Sequence, residues 1–410
     1  MQTETPSPVD NPSQDAAPRK TFRGGTHRSV SPDETLRRFL PIARRLGVTR
    51  LADLTGLDRI GLPVVSAVRP ASRSLAVSQG KGLSLDAAKA SAMMESVELW
   101  HGEHIELPLR FASWSELEAG GGPVLDPSAM AGSARAGSAM TGPAFDPRRR
   151  ILWLTGEDLL SGEEVLLPLE TVQTDCVLGD LPGAGSFSVD SNGLASGNHL
   201  TEATVHALCE LIERDTYTRR HGLGEAAWDA GRLDLETVDD ALCLQALALF
   251  RAADVKARVW ELDSESEVPV FLCEIADRPG SSWPCPGRFA GLGCHLDAGI
   301  ALLRCLTEAA QSRLTAISGA RDDLFRRPMF LRAWKTAGGL VEPDRSRTTA
   351  RAFRPRHAFE TFDEDLEDLL RRLRSTGHER VVRVDLTRPE LGIPVVRLVV
   401  PGLRFDARLL

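Results

Sequence analysis

Paired metal-binding cysteines, long apolar runs and the common nucleotide signatures are all missing from this chain of 410 residues. The seven cysteines (Cys176, Cys209, Cys243, Cys273, Cys285, Cys294 and Cys305) are scattered and never form a Cys-x-x-Cys. That spacing argues against zinc and fits small buried hydrophobes of a cytoplasmic protein. No apolar run reaches about 18 residues, so no membrane span is expected. The N-terminus lacks the charged-then-apolar layout of a secretion signal. Lysine is scarce and arginine supplies most of the positive charge. The net charge of −8 gives no support to binding of nucleic acid or a membrane surface. Gly80-Lys81 has Leu75 rather than glycine five residues upstream, so there is no P-loop, and Gly291-Leu292-Gly293 lacks the third glycine of a dinucleotide fingerprint. Neither a Gly-x-Ser-x-Gly elbow nor a His-Glu-x-x-His helix is present.

What is there is an ordinary globular composition, 42% hydrophobic and 26% charged, with length for a large core. Residues 1–20 are rich in Pro, Ser, Asp and Gln and are predicted to be a disordered tail. Residues 21–403 read as the folded unit, residues 119–148 as a Gly/Ala/Ser-rich loop within it, and residues 404–410 as a short C-terminal tail. Segments 278–287 and 336–357 also read as loops. Ser31-Pro32-Asp33-Glu34 marks a helix start. Strands are predicted at 64–68, 74–77, 151–154, 165–169, 257–262, 268–275, 380–385 and 394–400, with a helix near 363–375. Strands and helices mix without a strict βαβ rhythm, so the expected class is α+β.

Three glycine-rich segments each run into a helix with acidic residues at helical spacing. Ser78-Gln79-Gly80-Lys81-Gly82 precedes Ser91, Glu95 and Glu98. Ser191-Asn192-Gly193-Leu194-Ala195-Ser196-Gly197-Asn198 precedes Glu202, His206, Glu210 and Glu213. Gly291-Leu292-Gly293-Cys294-His295 precedes Glu308, Gln311 and Arg313. At about 100° per residue, Ser91, Glu95 and Glu98 lie within about 60° of one another. An acidic helix face is ordinarily solvated, but these stripes contain no Lys or Arg to relieve the repulsion between carboxylates one turn apart. Two carboxylates about 5 Å apart at an effective dielectric near 20 repel by roughly 3 kcal/mol. Magnesium, which prefers hard oxygen ligands and usually arrives with phosphates, offsets that cost. Read as turns opening helices, the glycine segments offer N–H groups to phosphate oxygens. Together they predict a site for a magnesium-bound nucleotide. Arg304 reads as a surface partner of Glu308, one turn away. Among the cysteines Cys294 is the one to watch, because a helix start can lower a thiol pKa. His206 and His295 are candidate proton carriers, or simply hydrogen-bonded structural histidines.

These motifs in this order resemble the YcaO superfamily, from about Phe22 to Leu403: Ser91-x-x-x-Glu95-x-x-Glu98, Asn192-Gly193-Leu194-Ala195-x-Gly197 with Glu202-Ala203 and Glu210-Leu211-Ile212-Glu213-Arg214-Asp215, and Glu308-x-x-Gln311-x-Arg313. The resemblance implies a YcaO-like fold, with mixed or antiparallel sheets and helices around a central Mg-ATP site. It implies ATP and Mg2+ as cofactors and activation of peptide-bond amides. By resemblance Glu95, Glu98, Glu202, Glu210 and Glu213 bind magnesium. Ser91, Asn198, Arg214, Glu308, Gln311 and Arg313 contact nucleotide, with Arg28, Thr35 and Lys81 as further nucleotide contacts. Glu95, Glu210 and Arg214 take the catalytic roles. Relatives often carry arginine after the second glutamate of the first motif; Leu99 stands there, so one cation near the site is either missing or supplied from elsewhere. A narrower likeness, carried by Gly25-Thr26-His27-Arg28, Thr55-Gly56-Leu57-Asp58-x-x-Gly61-x-Pro63-Val64, Arg69-Pro70, Ser78-Gln79-Gly80-Lys81-Gly82 and Gly319-Ala320-Arg321-Asp322-Asp323, is to members that work with a TfuA partner.

That branch implies thioamide formation on a peptide or protein substrate, with sulfide or another sulfur donor, a possible TfuA-like partner and a homodimer. The azoline-forming cyclodehydratases are the alternative branch; they often end in a proline-rich tail, and Arg404-Phe405-Asp406-Ala407-Arg408-Leu409-Leu410 is not one. A non-catalytic nucleotide-binding adaptor is the reading from another class. In the enzymatic readings a nucleophile adds to the amide carbonyl and ATP phosphorylates the resulting oxyanion, making it a good leaving group. Loss of Arg313 is then expected to raise the ATP requirement more than it changes stability.

Overall fold

The computed structural model describes residues 19–130, 145–177, 181–223, 228, 230–278, 287–321 and 350–406. Residues 1–18, parts of the three loops predicted from the sequence (131–144, 279–286, 336–349), Cys285, Asp322-Asp323 and residues 407–410 lie outside the described residues.

Helix α1 (Pro32–Arg45) starts at the predicted Ser31-Pro32 boundary with proline in its first turn. It leads into β1 (Arg50–Asp53), β2 (Val64–Val68) and β3 (Val77–Lys81), an antiparallel sheet in that order, and then into α2 (Leu85–Glu103). A larger six-stranded sheet follows from β4 (Arg110–Ser113), β5 (Arg150–Asp158), β6 (Glu164–Pro168), β7 (Leu194–Ser196), β13 (Val382–Asp385) and β14 (Val395–Val399). Its order is β4-β5-β13-β14-β7, with β6 also on β5. Between them run the short α3 (Trp114–Ala119), α4 (Leu200–His221), β8 (Leu233–Asp234) and α5 (Ala241–Ala252). A second three-stranded antiparallel sheet, β9 (Val255–Leu262), β10 (Val270–Asp277) and β11 (Phe289–Cys294), precedes α6 (Ala298–Ser318). The chain adds β12 (Arg351–Ala352), parallel to β8, and α7 (Phe362–Ser375). Antiparallel sheets with helices on them make this an α+β fold, as expected.

One unit therefore recurs three times: a strand, a short turn and a long helix, as β3–α2, β7–α4 and β11–α6. Each helix begins on a side-chain cap, from Ser84, His199 and Asp297, which satisfies N–H groups that have no intrahelical partner. Counted from the first helical residue, Ser91, His206 and Arg304 are each the seventh, Glu95, Glu210 and Glu308 the eleventh, and Glu98, Glu213 and Gln311 the fourteenth.

The glycines have a different purpose from the one predicted. Ser78–Lys81 and Gly291–Cys294 are strand, not phosphate-binding turn, and the strand predicted at 74–77 begins instead at Val77. A Cβ on Gly80 would lie 2.0 Å from the Ala92 nitrogen and 2.3 Å from the Ala88 oxygen; on Gly293 it would lie 2.1 Å from the Ala301 oxygen and 2.6 Å from the Cys305 nitrogen. The helix backbone rests directly on the strand. Gly80→Ala or Gly293→Ala is expected to cost at least the upper end of the about 1–3 kcal/mol seen for overpacking, because backbone cannot rotate away; urea unfolding measures it.

The N- and C-terminal boundaries also shift. Lys20, placed in the tail by sequence, is buried, with its Nζ 2.5 Å from Asp365 Oδ2 and donating to the Phe359 carbonyl at 2.7 Å. Arg404 and Asp406, assigned to a terminal tail, donate backbone N–H groups to Asp215 Oδ1 (2.7 Å) and Thr218 Oγ1 (3.4 Å), fastening this segment to α4.

Arg69 of the Arg69-Pro70 motif holds the β2–β3 connection to α2. Its guanidinium donates to both oxygens of Glu103, at 2.6 and 2.7 Å, and Ser72 Oγ, Ser74 N and Ser74 Oγ complete the shell. Burial alone raises the Glu103 carboxyl, but Arg69 and the two serines outweigh it and hold it at about 2, below its ordinary 4.5. A carboxyl depressed in the folded state stabilises fully above its unfolded pKa and loses that contribution as pH falls through the folded value. Unfolding free energy is therefore expected to drop between pH 4.5 and about 2, and Glu103→Gln to flatten that slope in urea titrations across the range.

Candidate active site

The three helices present their matching positions to one cavity of about 910 Å³. Glu95, Glu98, Glu202, Glu210, Glu213 and Glu308 line it, as do Arg28, Thr35, Lys81, Ser91, Asn198, Arg214 and Gln311. Residues far apart in the sequence thus line one cavity.

Five of the carboxylates influence one another in a closed chain: Glu98 faces Glu95 and Glu210, Glu210 faces Glu213, Glu213 faces Glu308, and Glu308 faces Glu95. Burial is the first cause of the shifts here. It raises Glu95 and Glu213, pushes Glu98 to about 8 and pushes Glu210 to about 7. Glu308 goes the other way: burial raises it, but Lys81, whose Nζ is 2.5 Å from Oε2, and Arg214 hold it at about 2. Arg214 Nε lies 4.0 Å from Glu210 and 3.7 Å from Glu213. Local backbone also orients the carboxylates. Gln79 N donates to Glu95 (3.2 Å), Leu292 N to Glu308 (3.3 Å), and Ser196 N and Oγ to Glu98 (2.8 and 2.7 Å). The first two contacts each span sixteen residues, the same strand-to-helix step in two repeats.

Glu202 stands apart from this ring. Ser29 N and Oγ donate to its Oε2 at 2.9 and 2.7 Å, Asn198 N and Nδ2 to Oε1 at 3.3 Å, and Arg28 lies 3.6 Å away. Thr35 Oγ1 donates to Asn198 Oδ1 at 3.0 Å. This end of the cavity is where the N-terminal segment meets the second repeat.

Arg313 is a correction. It is only 2% exposed and does not line the cavity. Its Nε donates to Asp58 Oδ2 (2.8 Å), and its Nη1 and Nη2 donate to Asp277 (2.9 and 3.4 Å). A guanidinium engaged by two carboxylates inside the core has no reach to a nucleotide. Cys294 is the second correction. It ends β11, not a turn, and burial together with Cys209 drives its thiol well above the ordinary value. His295 accepts from Asp297 N at 2.9 Å and is structural.

Arg304 is the residue that sequence reasoning misplaced on the surface. It lines the cavity, and its Nη2 lies 3.0 Å from His206 Nε2, leaving Glu308 to Lys81. Because a guanidinium only donates, His206 must accept there through a neutral ring; burial and Arg304 press its pKa well below the ordinary value. Arg321 also lines the cavity and lowers Glu95. Arg304 and Arg321 join Lys81 and Arg214 as cations lining the cavity.

Among the described residues no three His, Cys, Asp or Glu side chains form a ready-made metal cage. Magnesium does not require one, since it keeps waters and binds through one or two carboxylates plus phosphate oxygens. The donor set fits that pattern: hard carboxylates raised by burial, cations nearby, and two buried oxygens on cavity-lining side chains, Asn192 Oδ1 and Gln311 Oε1, that accept no hydrogen bond among the described residues.

A family model described as YcaO cyclodehydratase, ATP- and Mg2+-binding, matches residues 79–404. A protein of Rhizobium leguminosarum bv. trifolii, described as an uncharacterized protein in the tfuA 3′ region, is 36% identical over 389 residues, covering 92% of this chain and 89% of its own. YcaO from Methanopyrus kandleri bound with AMPPCP and Mg2+ matches with a TM-score of 0.67 at 24% identity, over 94% of this chain and 95% of that one. A heterocyclase in complex with substrate and cofactor matches with a TM-score of 0.76 at 23% identity, over 96% of this chain; this chain spans 55% of that one. The two structures share the fold.

Proposed function

This chain belongs to the YcaO family of ATP- and Mg2+-binding proteins, and on that premise we propose that it uses ATP to activate a backbone amide of a peptide or protein and that the product is a thioamide. The observation that carries amide activation is the ring of five carboxylates, Glu213 buried and the other four half-buried, facing Lys81, Arg214, Arg304 and Arg321 in one cavity. Glu95, Glu98, Glu210 and Glu213 are the magnesium side of this site. Lys81, Arg214 and Arg304 are the phosphate side, and Arg28, Thr35, Ser91, Asn198, Glu308 and Gln311 position the nucleotide. Glu202 holds Ser29 and Asn198 in place at that end rather than facing the ring. Bound Mg2+ supplies charge neutralisation on the transferring phosphoryl group. Arg214 and Lys81 stabilise the same charge from the protein, held by carboxylates that fix their direction.

Thioamide formation is favoured by the Rhizobium relative, which comes from the tfuA 3′ region, and by the motifs shared with TfuA-partnered members. The test is incubation with ATP, Mg2+, sodium sulfide and candidate peptides, with and without a TfuA-like protein from neighbouring genes. Phosphate release with a mass gain of about 16 Da, oxygen replaced by sulfur, is expected. A loss of about 18 Da identifies an azoline. Absence of ATP consumption under all conditions leaves only an adaptor.

A further inference from the structure

Glu274 occupies a position where the fold calls for an apolar side chain. β10 is the middle strand of its sheet, and Val270, Leu272, Glu274 and Ala276 alternate onto one face. The other three are buried apolar residues. Across the sheet Glu274 is flanked by Arg258 on β9 and Ala290 on β11, and small, exposed Ala290 leaves the carboxyl open to the cavity that both line. Among the described residues no hydrogen bond or ion pair reaches that carboxyl. Burial raises its pKa, while Arg288 and Arg258 pull it back. Tyr217, the chain's single tyrosine, lines the same wall from α4 and feels both Glu274 and Arg214; Phe405 lines it too. This end lies one helical turn beyond Glu213 and Arg214 and opposite the Arg28–Asn198 end. A half-buried acid without a direct partner destabilises a sheet unless it is used, and in a cleft it marks a functional group.

We propose that Glu274 is the proton acceptor at the peptide end of the cavity, taking the proton from the attacking sulfur. The assignment rests on the amide-activation reading above. Hydrosulfide adds through sulfur to the amide carbon, and the carbonyl π pair moves to oxygen. That oxygen displaces ADP from the γ-phosphorus. As the carbon–oxygen bond breaks and phosphate leaves, the S–H proton passes to Glu274 and its bonding pair becomes the second carbon–sulfur bond. Glu274 then returns the proton to phosphate. Amide, hydrosulfide and ATP enter; thioamide, ADP and hydrogen phosphate leave, with no change of redox state. A strand at the centre of a sheet holds such a group more precisely than a loop does.

The test compares wild type with Glu274→Gln and Glu274→Asp under sulfide, ATP and Mg2+, reading thioamide by mass, nucleotide affinity by calorimetry, melting temperature, and the pH profile of kcat. Glu274→Gln is expected to slow thioamide formation at least about 100-fold, the range of general-base catalysis. It should keep nucleotide affinity unchanged, melt no earlier than wild type, and abolish the acid limb of the wild-type profile. Arg258, Arg288 and Tyr217 are the charged and titratable groups facing Glu274, and all remain in the variant. Glu274→Asp should recover part of the rate. A Gln variant within threefold of wild type, or one whose nucleotide affinity falls in step with its rate, overturns the assignment alone. Wild type that makes no thioamide overturns amide activation and the assignment together.

Discussion

Glu95→Gln or Glu210→Gln is expected to cut Mg2+-dependent ATP turnover by about 100-fold or more while the folded protein melts no earlier than wild type. The two halves of that expectation share one cause. Burial has raised Glu95, Glu98, Glu210 and Glu213, with Glu98 at about 8 and Glu210 at about 7. Each carboxylate stands among others that oppose its ionisation. Removing one charge relieves that repulsion, so the fold gains or stays level. What is lost is an anionic oxygen that a hard cation needs. Glutamine keeps the size and keeps an acceptor oxygen, which isolates charge as the variable. Calorimetry separates the effect further: ATP affinity should fall steeply with Mg2+ present and little without it. If turnover survives, or if both variants unfold at lower temperature than wild type, the carboxylate ring is structural and the proposed metal site is wrong.

Much of this site was legible in the sequence because helical periodicity survives without tertiary context. Ser91, Glu95 and Glu98 recur at i, i+4 and i+7, and so do His206, Glu210 and Glu213; a helix that forms at all must put them on one face. Arg304, Glu308 and Gln311 repeat the same spacing, and aligning the three helices on their glutamates would have moved Arg304 from the surface into the cavity. The glycine segments were misread for a local reason. Glycine marks tight turns and close backbone approach alike, and the discriminating signal lay elsewhere, in Ala88 and Ala92 facing Gly80 and in Ala301 facing Gly293. The paired strands at 151–169 and 257–275 were found because each pair is antiparallel and nearly adjacent in sequence. The joining of β5 to β13 was invisible, since it depends on residues more than 200 positions apart. Glu274 was passed over because one acid inside an apolar strand carries no periodic signal.

Arg313→Ala is expected to destabilise the protein by about 3–5 kcal/mol, the cost of breaking a buried ion pair from one side, without a specific loss of nucleotide affinity. Its partners are 255 and 36 residues away in sequence, so the helical pattern around Glu308 and Gln311 could not reveal them. Asp58 lies in the connection between β1 and β2, and Asp277 ends β10, so Arg313 ties the first repeat's sheet to the third repeat's sheet through α6. Arg59 also donates to Asp277 Oδ1 at 2.9 Å, and Phe289 covers the guanidinium at 5.8 Å. Removing Arg313 takes its guanidinium away from two carboxylates whose side chains are only 4% and 6% exposed. Arg313→Lys should recover only a fraction, because a single ammonium cannot address two carboxylates in the forked geometry that the guanidinium provides. Urea unfolding gives the stability loss. Calorimetric nucleotide binding, corrected for the fraction folded, gives the other half. An Ala variant as stable as wild type but with ATP affinity lowered tenfold or more would return Arg313 to the nucleotide and show that the core pairing is dispensable.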